Sequence, residues 1–417
     1  MVTGQTDNGL RYAVRKSGTA VGYCALSIRC GTRDEEGFPA GIAHFTEHTL
    51  FRGTRHKSAA TIAGYLDRLG GELNAYTTKE EIVLHATVLK EDLPKAIGLL
   101  LELATEATFP DAEIATERGV VLDEIISYKD SPSEDIYDKF EEALFAGHPL
   151  GRPILGTQAS VRKISPEDLR RFTARHFRPE RMALTVVSPL DEPQMEKDVK
   201  RLAGKYFPSI QEGTAPAPLP GITAAARPLL PAAPPFDRTV NKRNHEVNAV
   251  IGGRAPSLYE KKDRITAVLL ANILGGPASN SLLNSELREK RGWVYSIECN
   301  YTQYADTGIM AITFGCDKPH LDTCLRAIGR ILDRLQEEPL TERRLKAAKK
   351  QLAAQIAVGA ESGEARCLAM GKSLLAFGHI ATPADDRAAI DAVTAADLRD
   401  MARRIFAPDI RSRLIYL

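Results

Sequence analysis

Two kinds of hydrophobic pattern alternate along the chain. The stretches "EIVLHATV" at 81–88 and "GIMAITFG" at 308–315 alternate apolar residues, which predicts β-strands. The stretches at 90–104 and 318–335 repeat apolar residues at intervals of three and four, which predicts amphipathic α-helices. Because blocks of strands are followed by pairs of helices, the pattern predicts an α+β fold in which helices pack on one face of a mainly antiparallel sheet.

The two halves of the chain resemble each other in this pattern. Segments 168–187 and 397–417 each consist of a helical pattern, a Phe-x-Pro break and a final apolar strand, with Phe177 matching Phe406. Internal similarity of this kind indicates a duplicated structural unit. We therefore expect two homologous α/β domains that each end in the same helix and strand.

A stretch rich in proline and alanine separates the two halves. Residues 213–235 have neither a helical nor a strand period, which is typical of a linker between domains. We therefore expect an N-terminal domain at 1–212 and a C-terminal domain at 236–417. With 417 residues, the chain is long enough for two domains that each bury their own core.

The segment "HFTEH" carries the strongest chemical signal in the N-terminal half. On a helix, residues three and four apart share a face, so His44, Glu47 and His48 would point the same way. Two imidazoles with a neighbouring carboxylate are the minimum geometry for a zinc site that carries its own base. The segment therefore predicts a metal site on one face of a helix.

The second half of the chain tests whether packing alone requires these polar groups. When the two halves are aligned, the three polar positions are taken by Ala267, Leu270 and Ala271. An apolar helix therefore suffices for the fold at this place. The polar trio in the first half is surplus to packing, which favours a chemical role for it.

A tetrahedral zinc site with one open position needs a third protein ligand. The segment 111–125 offers Glu117 and Glu124, which lie two helical turns apart and so share a face. The matching helix of the second half has alanines and Gln355 near these positions. Acidic residues on a helix often form only a solvated face, but these occur in the half that carries the histidines, so we expect metal ligation. Ligand type leaves open whether the metal is zinc or another divalent ion.

Composition narrows the class of protein. The 55 basic and 54 acidic residues nearly cancel, which argues against a nucleic acid or an anionic membrane as a partner. The sequence has no apolar run long enough to span a bilayer, and its N-terminus lacks the pattern of a signal peptide. We therefore expect a cytoplasmic protein, or a periplasmic one if a leader has been removed. The six cysteines form no Cys-x-x-Cys pair, which argues against zinc ribbons and redox motifs.

Three further stretches resemble a known family. "LGGELNAYTTKE" at 69–80, "HPLGRPILGT" at 148–157 and "LREKRGWVYS" at 287–296 occur in the order expected for the pitrilysin, or M16, metallopeptidases, and "HFTEH" is the inverted zincin motif. The chain resembles this family, which includes insulin-degrading enzyme and the mitochondrial processing peptidase, over nearly its whole length. The resemblance implies an M16/LuxS-like metallohydrolase fold and one Zn²⁺ per chain.

The resemblance also implies roles for individual residues of the metal site. It implies that His44, His48 and Glu124 bind the zinc ion. It further implies that Glu47 is the catalytic general base and that Glu117 supports the site without binding the metal.

Two other groups of residues are implied to hold the substrate. Asn74, Ala75 and Tyr76 match a sheet edge to which a peptide adds itself as an extra strand. Arg288 and Tyr295 match an Arg/Tyr pair, contributed by the C-terminal half, that grips the substrate backbone near the scissile bond.

These features predict a zinc metalloendopeptidase that hydrolyses peptides or unfolded polypeptide segments inside a chamber formed by two chains. Because this chain carries both the metal residues and the Arg/Tyr pair, we expect a homodimer, with a heterodimer as the alternative. Two other interpretations stay open. One is a processing peptidase for a dedicated precursor with a different partner subunit, and the other is a non-catalytic scaffold similar to the core subunits of the respiratory bc1 complex.

Overall fold

Two compact units make up the computed structural model, which describes residues 1–207, 233–242 and 244–417. Of these residues, the first unit contains 1–126, 152–207 and 358–381, and the second contains 127–151, 233–357 apart from residue 243, and 382–417. Most of the predicted linker at 213–235 lies outside the described residues. Each unit is built around one β-sheet.

The sheet of the first unit has six strands. They are β1 (Val2–Gln5), β2 (Arg11–Lys16), β3 (Val21–Ile28), β4 (Glu72–Thr77), β5 (Ile82–Leu89) and β6 (Met182–Ser188). Their order across the sheet is β1-β2-β6-β3-β5-β4, and only the pair β2 and β6 runs parallel. The sheet is therefore mainly antiparallel, and β4 forms one of its two edges.

The sheet of the second unit has five strands within the described residues. They are β7 (Asp237–Val240), β8 (Val247–Ala255), β9 (Val294–Gln303), β10 (Gly308–Cys316) and β11 (Ser412–Tyr416). Their order is β7-β11-β8-β10-β9, and only β7 and β11 run parallel. This second mainly antiparallel sheet confirms the predicted pair of similar α+β folds.

Helices connect and cover the two sheets. In chain order they are α1 (Ile42–Leu50), α2 (Ala59–Asp67), α3 (Leu93–Glu106), α4 (Asp111–Lys129), α5 (Pro132–Leu144), α6 (Gln158–Val161), α7 (Pro166–His176), α8 (Glu192–Tyr206), α9 (Lys261–Gly275), α10 (Leu321–Glu337), α11 (Glu342–Gly359), α12 (Gly363–Phe377), α13 (Pro383–Asp391) and α14 (Ala395–Phe406). The stretches predicted to be helical at 90–104 and 318–335 correspond to α3 and α10. None of the helices in the described part of the chain has the length and apolar character that crossing a bilayer requires.

Both faces of the first sheet are buried. On one face, Val14 and Leu26 pack into the main core of the unit, to which α3 contributes. On the opposite face, Ala25 packs with Met370 and Leu374 of α12. The prediction of helices on one face is therefore incomplete, because α12 covers the second face, and β6 in the middle of the sheet is buried along its whole length.

The helix that covers the second face of each sheet comes from the other half of the sequence. α12 belongs to the first unit, whereas α5 belongs to the second, where Phe140 packs with Ile309 of β10. The compact units therefore differ in these two segments from the boundaries expected at 1–212 and 236–417. The composition of the linker shows only where the chain passes once from one half to the other. It does not show which helix each sheet uses to bury its second face.

Candidate metal centre

Two helices of the first unit bring three potential metal ligands together. The Nε2 atoms of His44 and His48, on α1, lie 3.6 and 3.5 Å from Oε2 of Glu124 on α4. The three ligand atoms all lie within 4.8 Å of one another. Tetrahedral zinc with bonds of about 2.0–2.1 Å holds its ligand atoms about 3.3 Å apart. The observed spacing therefore fits a zinc ion bound by three protein ligands with a fourth position open.

The surroundings of Glu124 agree with a cation at this point. Its Oε2 atom is buried and has no hydrogen-bond partner among the described residues, although it faces two imidazole nitrogens. A buried carboxylate oxygen without a partner is costly unless a positive charge compensates it. The donor set of two imidazoles and one carboxylate is also the set that catalytic zinc accepts. The residues present therefore fit a zinc ion.

Glu117 holds one of the histidines from the side away from the ligand atoms. Its Oε1 lies 2.8 Å from Nδ1 of His48, and its other carboxylate oxygen contacts the guanidinium of Arg52. Glu117 is almost completely buried. A proton on Nδ1 that is donated to Glu117 leaves the lone pair of Nε2 free for a metal. This contact suits the role that the family resemblance implies for Glu117, which stays a prediction.

The electrostatics of the two histidines differ. Burial and, to a smaller extent, the neighbouring His48 lower the pKa of His44 to about 4, so its imidazole is neutral near pH 7. Burial also lowers the pKa of His48, but the nearby carboxylates of Glu124, Glu117 and Glu47 outweigh it and raise the pKa to about 9. A metal ion held here would supply the positive charge that His48 otherwise carries.

Glu47 lies beside the ligands without being one of them. It follows His44 by one turn of α1, and its Oε2 accepts a hydrogen bond of 2.9 Å from Oγ1 of Thr77 on β4. Burial raises the pKa of Glu47, while the Thr77 hydrogen bond and His48 oppose the rise. Thr77 therefore orients the carboxylate and connects it to the edge of the sheet.

The predicted substrate residues lie on that same edge strand. Asn74, Ala75 and Tyr76 of β4 pair with β5 on one side, and no strand of the described residues pairs with β4 on its other side. The side chains alternate, so that Ala75 packs against the main core and Tyr76 packs on the face covered by α12. The outer backbone edge of β4 is the part of the strand that remains for pairing.

The predicted Arg/Tyr pair belongs to the second unit. Arg288 lies in a π-helical turn at Asn284–Glu289, and Tyr295 lies in β9 with 58% of its surface exposed. The Tyr295 hydroxyl donates a hydrogen bond of 2.7 Å to Asp317.

Two residues that contact the candidate metal centre were not singled out by the sequence patterns. Arg52 lies just beyond the C-terminal end of α1, one turn after His48, and could have been found as a cation on the face of the motif. Thr77 directly follows the predicted substrate residues in the stretch at 69–80. Because side chains alternate along a strand, Thr77 shares the core-facing side with Ala75, and a polar residue at such a position could have been noticed.

Comparison with known families gives two matches along the chain. The description "Insulinase (Peptidase family M16)" matches residues 11–158, which contain all the candidate metal ligands. The description "Peptidase M16 inactive domain" matches residues 163–352. The word inactive agrees with the apolar character of α9, which has no counterpart of the trio on α1.

Proteins with similar sequences are described as zinc proteases. An uncharacterized zinc protease of Streptomyces coelicolor is 31% identical over 375 residues, which are 90% of this chain and 80% of that protein. The uncharacterized zinc protease YmxG of Bacillus subtilis is 29% identical over 411 residues, which are 98% of this chain and 96% of that protein.

Two solved structures share the fold over the whole chain. A protease from Helicobacter pylori has a TM-score of 0.87 at 21% identity, covering 100% of this chain and 99% of its own. A peptidase M16 inactive domain from Pseudomonas fluorescens has a TM-score of 0.86 at 18% identity, covering 100% and 97%. With the family matches and the identity to the Streptomyces protein, the chain belongs to peptidase family M16.

Proposed function

We propose that the protein is a zinc-dependent endopeptidase. The observation that carries this proposal is the set of His44, His48 and Glu124, whose ligand atoms are spaced to fit one zinc ion, with Glu47 beside it. The names of the relatives, which are zinc proteases, support the same reaction. The intact ligand set does not favour a purely structural role.

The residues of the site suit hydrolysis of a peptide bond. Zinc supplies Lewis acidity when His44, His48 and Glu124 hold it. Glu47 takes a proton from the attacking water and passes it to the leaving amine, a role worth about a hundredfold to ten-thousandfold in rate. Thr77 keeps the Glu47 carboxylate in place through its 2.9 Å hydrogen bond. Glu117 keeps the His48 ring in the orientation that presents Nε2 to the metal.

The substrate is a peptide or an unfolded polypeptide segment that adds to β4 as a further strand. The open edge of β4 at Asn74, Ala75 and Tyr76 offers backbone hydrogen bonds, and Thr77 at its end contacts the base Glu47. Strand addition reads the backbone more than the side chains, so the sequence preference is loose. A folded protein has no free extended segment to offer, which restricts the substrates to flexible chains.

Arg288 and Tyr295 hold the substrate backbone in this proposal. Arg288 carries a cationic donor and Tyr295 a hydroxyl donor, and both groups suit carbonyl oxygens. Tyr295 is also exposed. One chain carries this pair as well as the metal ligands, and for this reason we propose a homodimer whose two chains enclose the substrate chamber. A heterodimer remains the alternative. Sedimentation that finds a stable, fully active monomer contradicts the chamber of two chains.

The test pairs metal analysis with cleavage of an unstructured, quenched fluorescent peptide by the wild type and by Glu47→Gln. We expect zinc in both proteins and cleavage only by the wild type, since the variant keeps the ligands and loses the base. Glu36→Gln, on an exposed residue of the same unit, is the matched control and should cleave normally. A wild type that stays metal-free and inactive after zinc is added, or a Glu47→Gln variant that cleaves normally, contradicts the proposal.

A further inference from the structure

The helix that carries the metal motif begins without a cap of its own. α1 starts at Ile42, and its N-cap residue is Gly41, which has a left-handed backbone with φ of +88° and no side chain to accept a hydrogen bond. No acidic residue lies in the first turn. The first backbone N–H groups of a helix need partners from outside it, particularly when they are buried.

A buried carboxylate from a preceding turn supplies those partners. Both oxygens of Glu35 accept the N–H of Gly41 at 3.0 Å, and Oε1 also accepts the N–H of Ala43 at 3.0 Å. The Glu35 side chain has no exposed surface. An anion at this end of a helix is also favoured by the helix dipole.

We infer that Glu35 is a positioning residue of the metal centre, which fixes the first turn of α1 and thereby the place of His44 Nε2. The inference rests on the proposed metal-dependent function but concerns a residue that does not touch the metal, the base or the substrate. His44 directly follows Ala43, whose N–H Glu35 holds. His48, one turn later, is held independently by Glu117. Loss of Glu35 should therefore affect His44 more than His48.

The backbone of another loop is in close contact with the same helix end. Gly156, from the loop before α6, approaches Gly41 so closely that a Cβ atom on Gly156 would lie 2.5 Å from the carbonyl oxygen of Ala40. A Cβ atom on Gly41 would lie 2.7 Å from the carbonyl oxygen of Leu155. The start of α1 is thus in close contact with this loop and is hydrogen-bonded to the Glu35 carboxylate.

Burial of Glu35 and the donors around it act on its charge in opposite directions. Burial raises its pKa to about 7, while the N–H groups of Ala43 and Gly41 and the charges of Arg152 and Lys79 oppose the rise. A glutamine of the same size cannot replace it, because glutamine has a single acceptor oxygen and its amide N–H group would face the N–H donors. Glu35→Gln therefore preserves volume and removes the two-oxygen acceptor.

The experiment measures zinc affinity by competition with a chelator for the wild type, Glu35→Gln, and Glu36→Gln as the exposed neighbour. We expect zinc affinity about tenfold weaker in Glu35→Gln, as for other residues that orient a ligand indirectly, and unchanged affinity in Glu36→Gln. X-ray absorption at the zinc edge should show a lower or more disordered imidazole contribution in Glu35→Gln, since one of the two histidines is released. In the loaded enzyme, kcat should fall while KM for the peptide stays the same.

A purely structural role predicts a different pattern. Thermal unfolding of the metal-free proteins reports on folding alone, and a Glu35→Gln variant that is less stable but binds zinc as tightly as the wild type, with an unchanged absorption spectrum, overturns the inference. If Glu35→Gln does not fold, Glu35→Asp, which keeps two oxygens and shortens the reach, undergoes the same measurements with the same criteria. Zinc affinity is measured without peptide cleavage. A wild type that binds zinc but does not cleave therefore overturns the proposed function, while the zinc affinities still decide the role of Glu35.

Discussion

The two units place equivalent helices in equivalent positions and use them differently. α1 of the first unit carries a polar trio, of which the two histidines face α4. α9 of the second unit has Ala267, Leu270 and Ala271 at the matching positions, and all three are buried in its core. The fold therefore requires a helix at this place but not polar groups on it. The imidazoles and the carboxylate of α1 are therefore not required by the fold, which is the basis of the chemical role proposed for them.

The contact with the neighbouring long helix differs in the same way. In the first unit, α1 and α4 are joined by the ionisable pair of His48 and Glu117 at 2.8 Å. In the second unit, α9 and α11 are joined by a neutral pair, in which Asn272 Nδ2 donates to Gln355 Oε1 at 2.5 Å. A neutral amide pair satisfies these partly buried polar atoms without a charge to desolvate. Charge appears at this helix contact in the unit where a metal ion can use it.

The largest effect is expected when a ligand is removed from the polar helix. His48→Ala should reduce peptide cleavage to background and release the metal, because it removes one of three ligands and leaves Glu117 and Glu124 without their shared partner. Metal analysis and a cleavage assay measure both effects. His56→Ala, which changes an exposed histidine of the same unit, is the control. Retention of zinc by His48→Ala would show that the site is not where the geometry places it.

A smaller but substantial effect is expected when the apolar helix is given a charge. Leu270→Glu places a carboxylate at a fully buried position where no cation is available, so the free energy of unfolding should fall by about 3 kcal/mol or more. Urea denaturation measures the loss. Val268→Glu, at a partly exposed position of the same helix, should cost clearly less. An equal loss in the two variants would mean that burial does not distinguish these positions.

Substitution of Glu117, which contacts His48, should have an intermediate effect on zinc binding. Glu117→Gln keeps the shape of the side chain but removes the negative charge of the carboxylate that contacts Arg52 and His48. The affinity for zinc should therefore fall about tenfold to a hundredfold. Chelator competition gives the affinity. Glu113→Gln, one turn earlier on α4, provides the control and should bind zinc like the wild type. Unchanged affinity in Glu117→Gln would show that His48 is oriented without this carboxylate.

The neutral counterpart in the second unit should have the smallest effect. Asn272→Ala breaks the bond to Gln355, and the free energy of unfolding should fall by about 1 kcal/mol without a change in zinc affinity. A double-mutant cycle with Gln355→Ala isolates the pair from other losses. A coupling energy near zero would show that the amide pair is not needed to join α9 and α11.

The sequence predicts the repeated α+β units and the metal motif for definite physical reasons. Alternating apolar residues mark the strands, and the spacing of His44, Glu47 and His48 by itself places them on one helix face. Glu124 could be anticipated because acidic residues on its helix accompany the histidines. These features depend on local periodicity, which a single sequence displays directly.

Other features depend on contacts that local periodicity does not contain. The apolar faces of α5 and α12 indicate that each helix is buried, but not which sheet it covers, so the exchange of helices between halves was not predicted. Glu35 lies six positions before Gly41 and caps α1 only because the intervening turn folds back, a geometry outside the usual capping motifs. Arg52 gains its role from Glu117, which is remote in sequence.

The central claim is that the polar helix of the first unit carries a zinc ion on which peptide cleavage depends. The most direct measurement removes metal from the wild type with a chelator and then restores zinc stepwise while cleavage of the quenched peptide is followed. We expect that cleavage disappears when the metal is removed and rises linearly until about one zinc is bound per chain. Cleavage that survives complete removal of the metal would contradict a zinc-dependent reaction. So would a correctly folded, metal-free protein that does not regain cleavage when zinc is added.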